Sequence, residues 1–346
     1  MNSHALEVLE YRQALDVVAA FAASGIGAAA VRGIRPIEDE AGVRSELGLV
    51  AEGMALIGDG GWVMLALPDL RDALAHLSIE GYGWDGPTLR QAVSIIGVCR
   101  SMRRLILPVR EGSPGLGAIV DMVGDFPEIS EEIDRAVGED GAVRDRASPA
   151  LARLRREIHG ARARIVSKLT DYAASLPPHY QVSDGSVSIR DGRYVVPVRR
   201  EARGEVGGIV HGESQTGATL FVEPPVAIEM MNRLRELEAA EAREVRRILR
   251  ELTDALRPHA DEFSRSLVAL VRLDTIYARS RYAISVDGHP PEILPLAQRA
   301  FAIVQGRHPL LLAKGDPVVP FDLWMEEGER TLIISGPNTG GKTVLL

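Results

Sequence analysis

The chain is 346 residues long and acidic, with a formal net charge of −8, 46% hydrophobic residues and 5% aromatic residues. That balance excludes a polycation acting through its bulk field, so nucleic-acid contact would have to come from a local basic surface. The lone Cys99 excludes an intramolecular disulfide and a multi-cysteine zinc site, and no apolar run of about 18 residues could span a bilayer.

The abundance of Ala, Leu, Arg and Glu favours helix, because these side chains lose little freedom in a helical turn. Ala5 to about Ser24 reads as a helix with Leu6, Leu9, Val17 and Phe21 among its apolar positions, interrupted at Gly25 to Gly27. A second pattern, Glu38 to Ile57, follows the turn at Arg35-Pro36. Gly58 to Gly61 and Gly81 to Pro87 are loops, while Leu70 to Leu77 and Thr88 to Leu107 are helical in pattern. Cys99 lies in the apolar stretch Val93 to Met102 and is expected to be a buried, inert thiol. No charged-then-apolar segment opens the chain, so a soluble, cytoplasmic protein is expected. Residues 1–144 are expected to form a helical core that announces no chemistry of its own.

Further on, Leu151, Leu154, Ile158, Ala161, Ile165, Leu169 and Tyr172 recur at steps of three and four, the apolar seam of a helix packed along a partner. The partner is Ile228, Met231, Leu234, Leu237, Val245, Ile248, Leu252 and Leu256. Thirty residues of helix extend about 45 Å, so 145–178 and 225–285 are expected to be lever helices running out and back. Between them, Pro177-Pro178 ends the first helix. Ser186 to Arg190, Arg193 to Arg199, Gly208 to His211 and Ala218 to Glu223 are short and β-branched, and Asp191-Gly192 is a two-residue hairpin signal. Residues 179–224 are thus expected to form a small β-rich clamp at the tip of the arm.

After Tyr282, Pro290, Pro291 and Pro295 mark a linker. A strand-like Ala300 to Val304 leads to Gly306-Arg307-His308-Pro309, and a second β-type run, Thr331 to Ser335, meets a glycine-rich loop. That loop, Gly336, Pro337, Asn338, Thr339, Gly340, Gly341, Lys342 and Thr343, fits the phosphate-binding pattern G-x-x-x-x-G-K-[ST] directly after a strand. Its glycines let successive N–H groups point at phosphate oxygens. Lys342 is placed for the β- and γ-phosphates of ATP and the Thr343 hydroxyl for Mg²⁺. Residues 293–346 are therefore expected to begin an ATPase domain. Three residues after Thr343 cannot supply its helix, its further strands and its magnesium-binding acid, so this chain alone is expected neither to hydrolyse ATP nor to bind it tightly. The expected fold class is mainly α, with the β-rich clamp and the first strands of an α/β P-loop domain.

These segments resemble the MutS family of ATPases. Gly306-Arg307-His308-Pro309-Leu310, about thirty residues before the loop, resembles the family's ATPase entry, and the Pro-Asn within the loop is the family's form of the motif. Arg193-Tyr194-Val195-Val196-Pro197-Val198 resembles the stretch where clamp meets core. Gly207-Gly208-Ile209-Val210-His211, Gly217-Ala218-Thr219-Leu220-Phe221-Val222-Glu223-Pro224 and the opening Leu9-Glu10-Tyr11 look like the branch called MutS-two. That resemblance implies a helical core and lever, a clamp, a dimerising ABC-type ATPase and a carboxy-terminal Smr nuclease domain, here beyond Leu346. It implies no amino-terminal mismatch-reading domain. It also associates the whole protein with suppressing homologous recombination through branched DNA, and in some members with splitting collided ribosomes.

From Arg190 to Arg203, the arginines Arg190, Arg193, Arg199, Arg200 and Arg203 face only Asp191 and Glu201, a local net charge of +3. At a protruding tip they could neutralise phosphates without reading sequence. The ordinary alternative is pairing with Glu201, Glu205 or Glu213. The first lever helix is basic, with Arg153, Arg155, Arg156, Arg162 and Arg164, and is a further candidate for nucleic-acid contact. On the returning helix Glu236, Glu238, Glu241 and Glu244 interleave with Arg235, Arg243, Arg246 and Arg247, which reads as a solvated face with intrahelical pairs. Neither His211 nor His308 has a metal or triad constellation nearby in sequence, and no acidic cluster suggests a nuclease site. The leading expectation is an ATP-gated clamp of a homodimer on DNA. The alternatives are a ribosome-binding module and a structural coiled-coil module; a coiled-coil ATPase of the SMC type is disfavoured because there the P-loop precedes the coil.

Overall fold

A computed structural model describes residues 3–183, 185–295, 301–315, 317–326 and 328–335. In chain order the helices begin with α1 (Ser3–Val8), α2 (Tyr11–Ala19), α3 (Gly25–Arg32), α4 (Glu40–Gly58) and α5 (Arg71–Leu77). There follow α6 (Gly86–Ile106), α7 (Pro114–Val120), α8 (Pro127–Ala136) and α9 (Pro149–Ser175). A short-stranded segment contains β1 (Ser188–Arg190), β2 (Arg193–Arg199), α10 (Arg203–Val206), β3 (Ile209–Glu213) and β4 (Thr219–Glu223). The long helices α11 (Pro225–Leu256) and α12 (Ala260–Ser285) precede β5 (Phe301–Gly306), α13 (Pro309–Lys314) and β6 (Phe321–Met325). The fold is mainly α with a small β part, as the sequence leads one to expect.

Two compact units partition these elements: Met1–Ser78, Gln91–Pro127 and Pro258–Leu346 form one, Ile79–Arg90 and Glu128–Arg257 the other. The first is organised around α12, which packs on α2, α3, α4, α5 and α7. Phe263, Leu270, Leu273 and Ile276 of α12 and Ile95, Ile96, Met102 and Ile106 of α6 are buried in this unit. Each such apolar side chain contributes roughly 1.5–3 kcal/mol through removal from water. Cys99 is buried too, and burial pushes its thiol up to about 12, so it is an inert core residue.

The first helix differs from its sequence pattern. It is broken at Glu10, whose φ is 50°, and ends at Ala19. Gly25 to Gly27, expected to interrupt helix, instead opens α3. The Ser24 Oγ accepts the Gly27 N–H at 3.0 Å and so caps the new helix. Behind the cap, the buried Asp274 carboxylate of α12 accepts from the Ala23 N–H at 2.8 Å, the Ser24 N–H at 3.1 Å and the Ser24 hydroxyl at 2.5 Å. Burial raises this carboxyl above its ordinary range.

At the end of the described chain, β5 and β6 pair antiparallel, with Ala302 opposite Trp324, and the register shifts between Ile303 and Gly306. The run Thr331 to Ser335 forms no strand; among the described residues nothing pairs with it, and Ile333 is 84% exposed. A strand needs a neighbour's ladder as well as its own composition.

In the second unit α9 and α11 run antiparallel, for Arg155 meets Glu241 at 2.7 Å and Arg162 meets Glu238 at 2.7 Å. Ser148 caps α9, its hydroxyl accepting from the Leu151 N–H at 3.0 Å and donating to Glu244 of α11 at 2.7 Å. Arg247, and then Ser148, hold the Glu244 carboxyl down at about 2. A carboxyl lowered by folding binds fewer protons in the folded chain. Its stabilisation is therefore complete above the ordinary value of 4.5 and is lost as pH falls toward about 2. Glu244→Gln is expected to flatten the acid limb of this unit's stability in that window, read by urea unfolding at stepped pH. An unchanged limb would remove Glu244 from the role.

Candidate nucleic-acid interface

The four-stranded sheet has the order β1-β2-β4-β3, all neighbours antiparallel. Asp191 and Gly192 turn β1 into β2 with φ of 48° and 70°, the paired left-handed geometry of the two-residue hairpin that Asp-Gly favours. Strand alternation then sorts the side chains. Val196, Val198, Leu220 and Val222 form a core cluster with Ile158, Ile165 and Leu169 of α9 and Met231 and Leu234 of α11. Arg193 and His211 converge on Glu223, the last residue of β4.

The sequence-derived arginines have different surroundings. Arg193 donates to the Glu223 carboxylate at 3.0 Å and to the Asn232 Oδ1 at 3.3 Å, and its side chain is only 16% exposed. Arg190 lies over the Phe221 ring, 4.4 Å from the centroid, and is exposed. Arg199 is exposed and donates to the Gln181 carbonyl at 3.0 Å. Arg200 is exposed and meets Glu213 at 3.0 Å and the Gly217 carbonyl at 3.0 Å. Arg203, also exposed, has no ion-pair or hydrogen-bond partner for its side chain among the described residues. An exposed ion pair such as Arg200–Glu213 contributes little and exchanges readily for another anion, so four of these cations face solvent and Arg193 faces inward.

Sequence reasoning passed over Glu223. Its side chain is 1% exposed and is held by Arg193 on one oxygen and by the His211 Nε2, at 2.7 Å, on the other. The signal for it was a carboxylate closing the apolar run Leu220-Phe221-Val222, which becomes legible only once β2, β3 and β4 are paired. Among the described residues no group of His, Cys, Asp and Glu could hold a metal ion. The phosphate-loop candidates Gly336 to Thr343 lie outside the described residues, and His308 precedes α13 as its N-cap without a side-chain hydrogen bond.

Comparison with known proteins bears on this architecture. The whole chain aligns at 46% identity over 350 residues with Endonuclease MutS2 of Gemmatimonas aurantiaca, covering 43% of that protein. It aligns at 37% with Endonuclease MutS2 of Pelotomaculum thermopropionicum and at 34% with that of Geobacillus thermodenitrificans, covering 43% and 44% of them. The chain belongs to the MutS2 family. It spans less than half the length of these MutS2 relatives, and no family model matches it. No described helix is long and apolar enough to cross a membrane.

Proposed function

We propose that the chain is the lever and clamp of a MutS2-type, ATP-driven protein that closes on branched or duplex DNA. The observation that carries this reading is the sheet built on α9 and α11, with Arg190, Arg199, Arg200 and Arg203 exposed on a segment of net positive charge. Phosphate oxygens can replace the weak exposed partners of these guanidinium groups, and the contact carries no sequence information. Residues 145–178 and 225–285 serve as levers and 179–224 as the clamp. Gly336 to Thr343 cradles ATP, with Thr343 on Mg²⁺. ATP closes the clamp by binding one arrangement of a homodimer better than another. In the whole protein this activity suppresses homologous recombination in the cytoplasm, and the endonuclease in the relatives' name resides outside this chain.

Fluorescence anisotropy against four-way-junction, duplex and single-stranded DNA across a salt series tests the reading. Wild type is expected to bind at low salt with the junction preferred. The Arg199→Glu, Arg200→Glu, Arg203→Glu variant is expected to lose at least about tenfold in affinity, roughly 1.4 kcal/mol or more. Binding that is indifferent to the three reversals would remove the clamp from DNA contact. Absence of DNA binding, with co-pelleting on ribosomes, would favour the ribosome-binding alternative.

A further inference from the structure

The interleaved charges of α11 separate by face in three dimensions. Glu238 and Glu241 turn toward α9, where they pair with Arg162 and Arg155, and Glu244 takes the Ser148 hydroxyl. At 100° per residue, Arg235, Arg243, Arg246 and Arg250 fall within about 80° of arc on the side roughly opposite those acids. All four are exposed, and none has an ion-pair or hydrogen-bond partner for its side chain among the described residues. Carboxylates flanking the stripe are engaged by arginines other than these four: Glu236 by Arg233, Glu251 by Arg247 and Asp254 by Arg257. Between the arginines stand Ala239 and Ala242, too short to hold a ligand away from the guanidinium groups. Beside the intrahelical pairs that its sequence suggests, the helix therefore presents one face of a single sign.

We infer that this face of α11 is a second, sequence-independent binding surface for the phosphate backbone of a nucleic-acid duplex. The inference rests on the reading that the protein binds nucleic acid and adds a surface that the clamp arginines do not include. Arg235 to Arg250 spans about 22 Å along the helix. A DNA duplex offers one phosphate per roughly 1.7 Å of its axis, so a duplex lying along the helix presents ample phosphates to all four cations. Asn232, one turn before Arg235, accepts a hydrogen bond from Arg193 of the sheet. The stripe thus starts where β2 meets α11 and continues from the clamp down the lever, within one compact unit. Guanidinium groups suit this task because their forked donors match phosphate oxygens in pairs.

The test measures binding of the chain to labelled 20-base-pair DNA and RNA duplexes across a salt series. Four phosphate contacts contribute about −3.6 to the slope of log affinity against log salt. Arg243→Gln with Arg246→Gln is expected to make the slope shallower by about 2 and to weaken binding roughly 10–50-fold at 0.1 M salt. The independent pair Arg235→Gln with Arg250→Gln is expected to act alike, and Arg233→Gln, outside the stripe, to leave the slope unchanged. Circular dichroism melting is expected to be unaltered in all three. Equal losses on DNA and RNA would mean the phosphate alone is read; a loss on one duplex only would name that duplex as the ligand. An unchanged slope in both stripe pairs, with binding lost in the Arg199, Arg200, Arg203 variant, would overturn the inference and leave the clamp reading standing. An equal loss from Arg233→Gln would also overturn it. No binding by wild type at low salt would overturn both readings.

Discussion

Arg193→Ala is expected to destabilise the sheet-bearing unit by about 3–5 kcal/mol, a large share of the 5–15 kcal/mol that holds a typical domain folded. The cause is Glu223, 1% exposed, whose carboxylate loses its guanidinium partner and keeps only His211. A carboxylate left in a dry place without its counter-charge cannot recover its hydration, and the cost falls on the folded state. Hydrogen exchange at the β4 amides and urea unfolding of the unit would measure it. Replacing the group as a whole, with Arg193→Met and Glu223→Leu together, is expected to recover much of the loss, because an apolar pair needs no counter-charge. A single-variant cost below about 1 kcal/mol would show that water reaches Glu223 and that the pair behaves like a surface bridge.

Gly27→Ala is expected to have an effect of similar size in the other unit. A Cβ built there lies 1.9 Å from the Asp274 Oδ2 and 2.4 Å from its Cγ. The obstructing atoms belong to a short side chain already fixed by three hydrogen bonds to Ala23 and Ser24. Yielding to the methyl would break those bonds and leave a buried carboxylate unsatisfied, at a cost of roughly 3 kcal/mol or more. Thermal unfolding would detect this as a lowered midpoint, and Gly25→Ala makes the matched control, since its Cβ would meet nothing within 4 Å. Equal midpoints for the two variants would refute the account.

Legibility followed the range of the interaction. The heptad-like seam of α9 and its partner, the Asp191-Gly192 hairpin and β2 could be read from sequence because each depends on near neighbours in the chain. Gly25 to Gly27 was misjudged because the Ser24 cap, though local, is held by a carboxylate 250 positions away in the chain. The run Thr331 to Ser335 has the composition of a strand, but no described strand pairs with it. At the interface, composition located the arginines but could not say that Arg193 turns inward or that α11 sorts its charges. Both facts depend on which strand or helix lies alongside.

The Ser24–Asp274 contact also has a history within each molecule's lifetime. The two residues are separated by 250 positions, and the whole of Glu128–Arg257 is synthesised between them. At roughly 5–20 residues per second, the amino-terminal helices wait about 12–50 s for the helix that covers them. During that interval the apolar faces of α2, α3 and α4 are without α12, while the unit that began later can already close. Birth order and completion order are inverted, so a nascent chain depends on shielding of its first helices far more than a contiguous domain of equal size would.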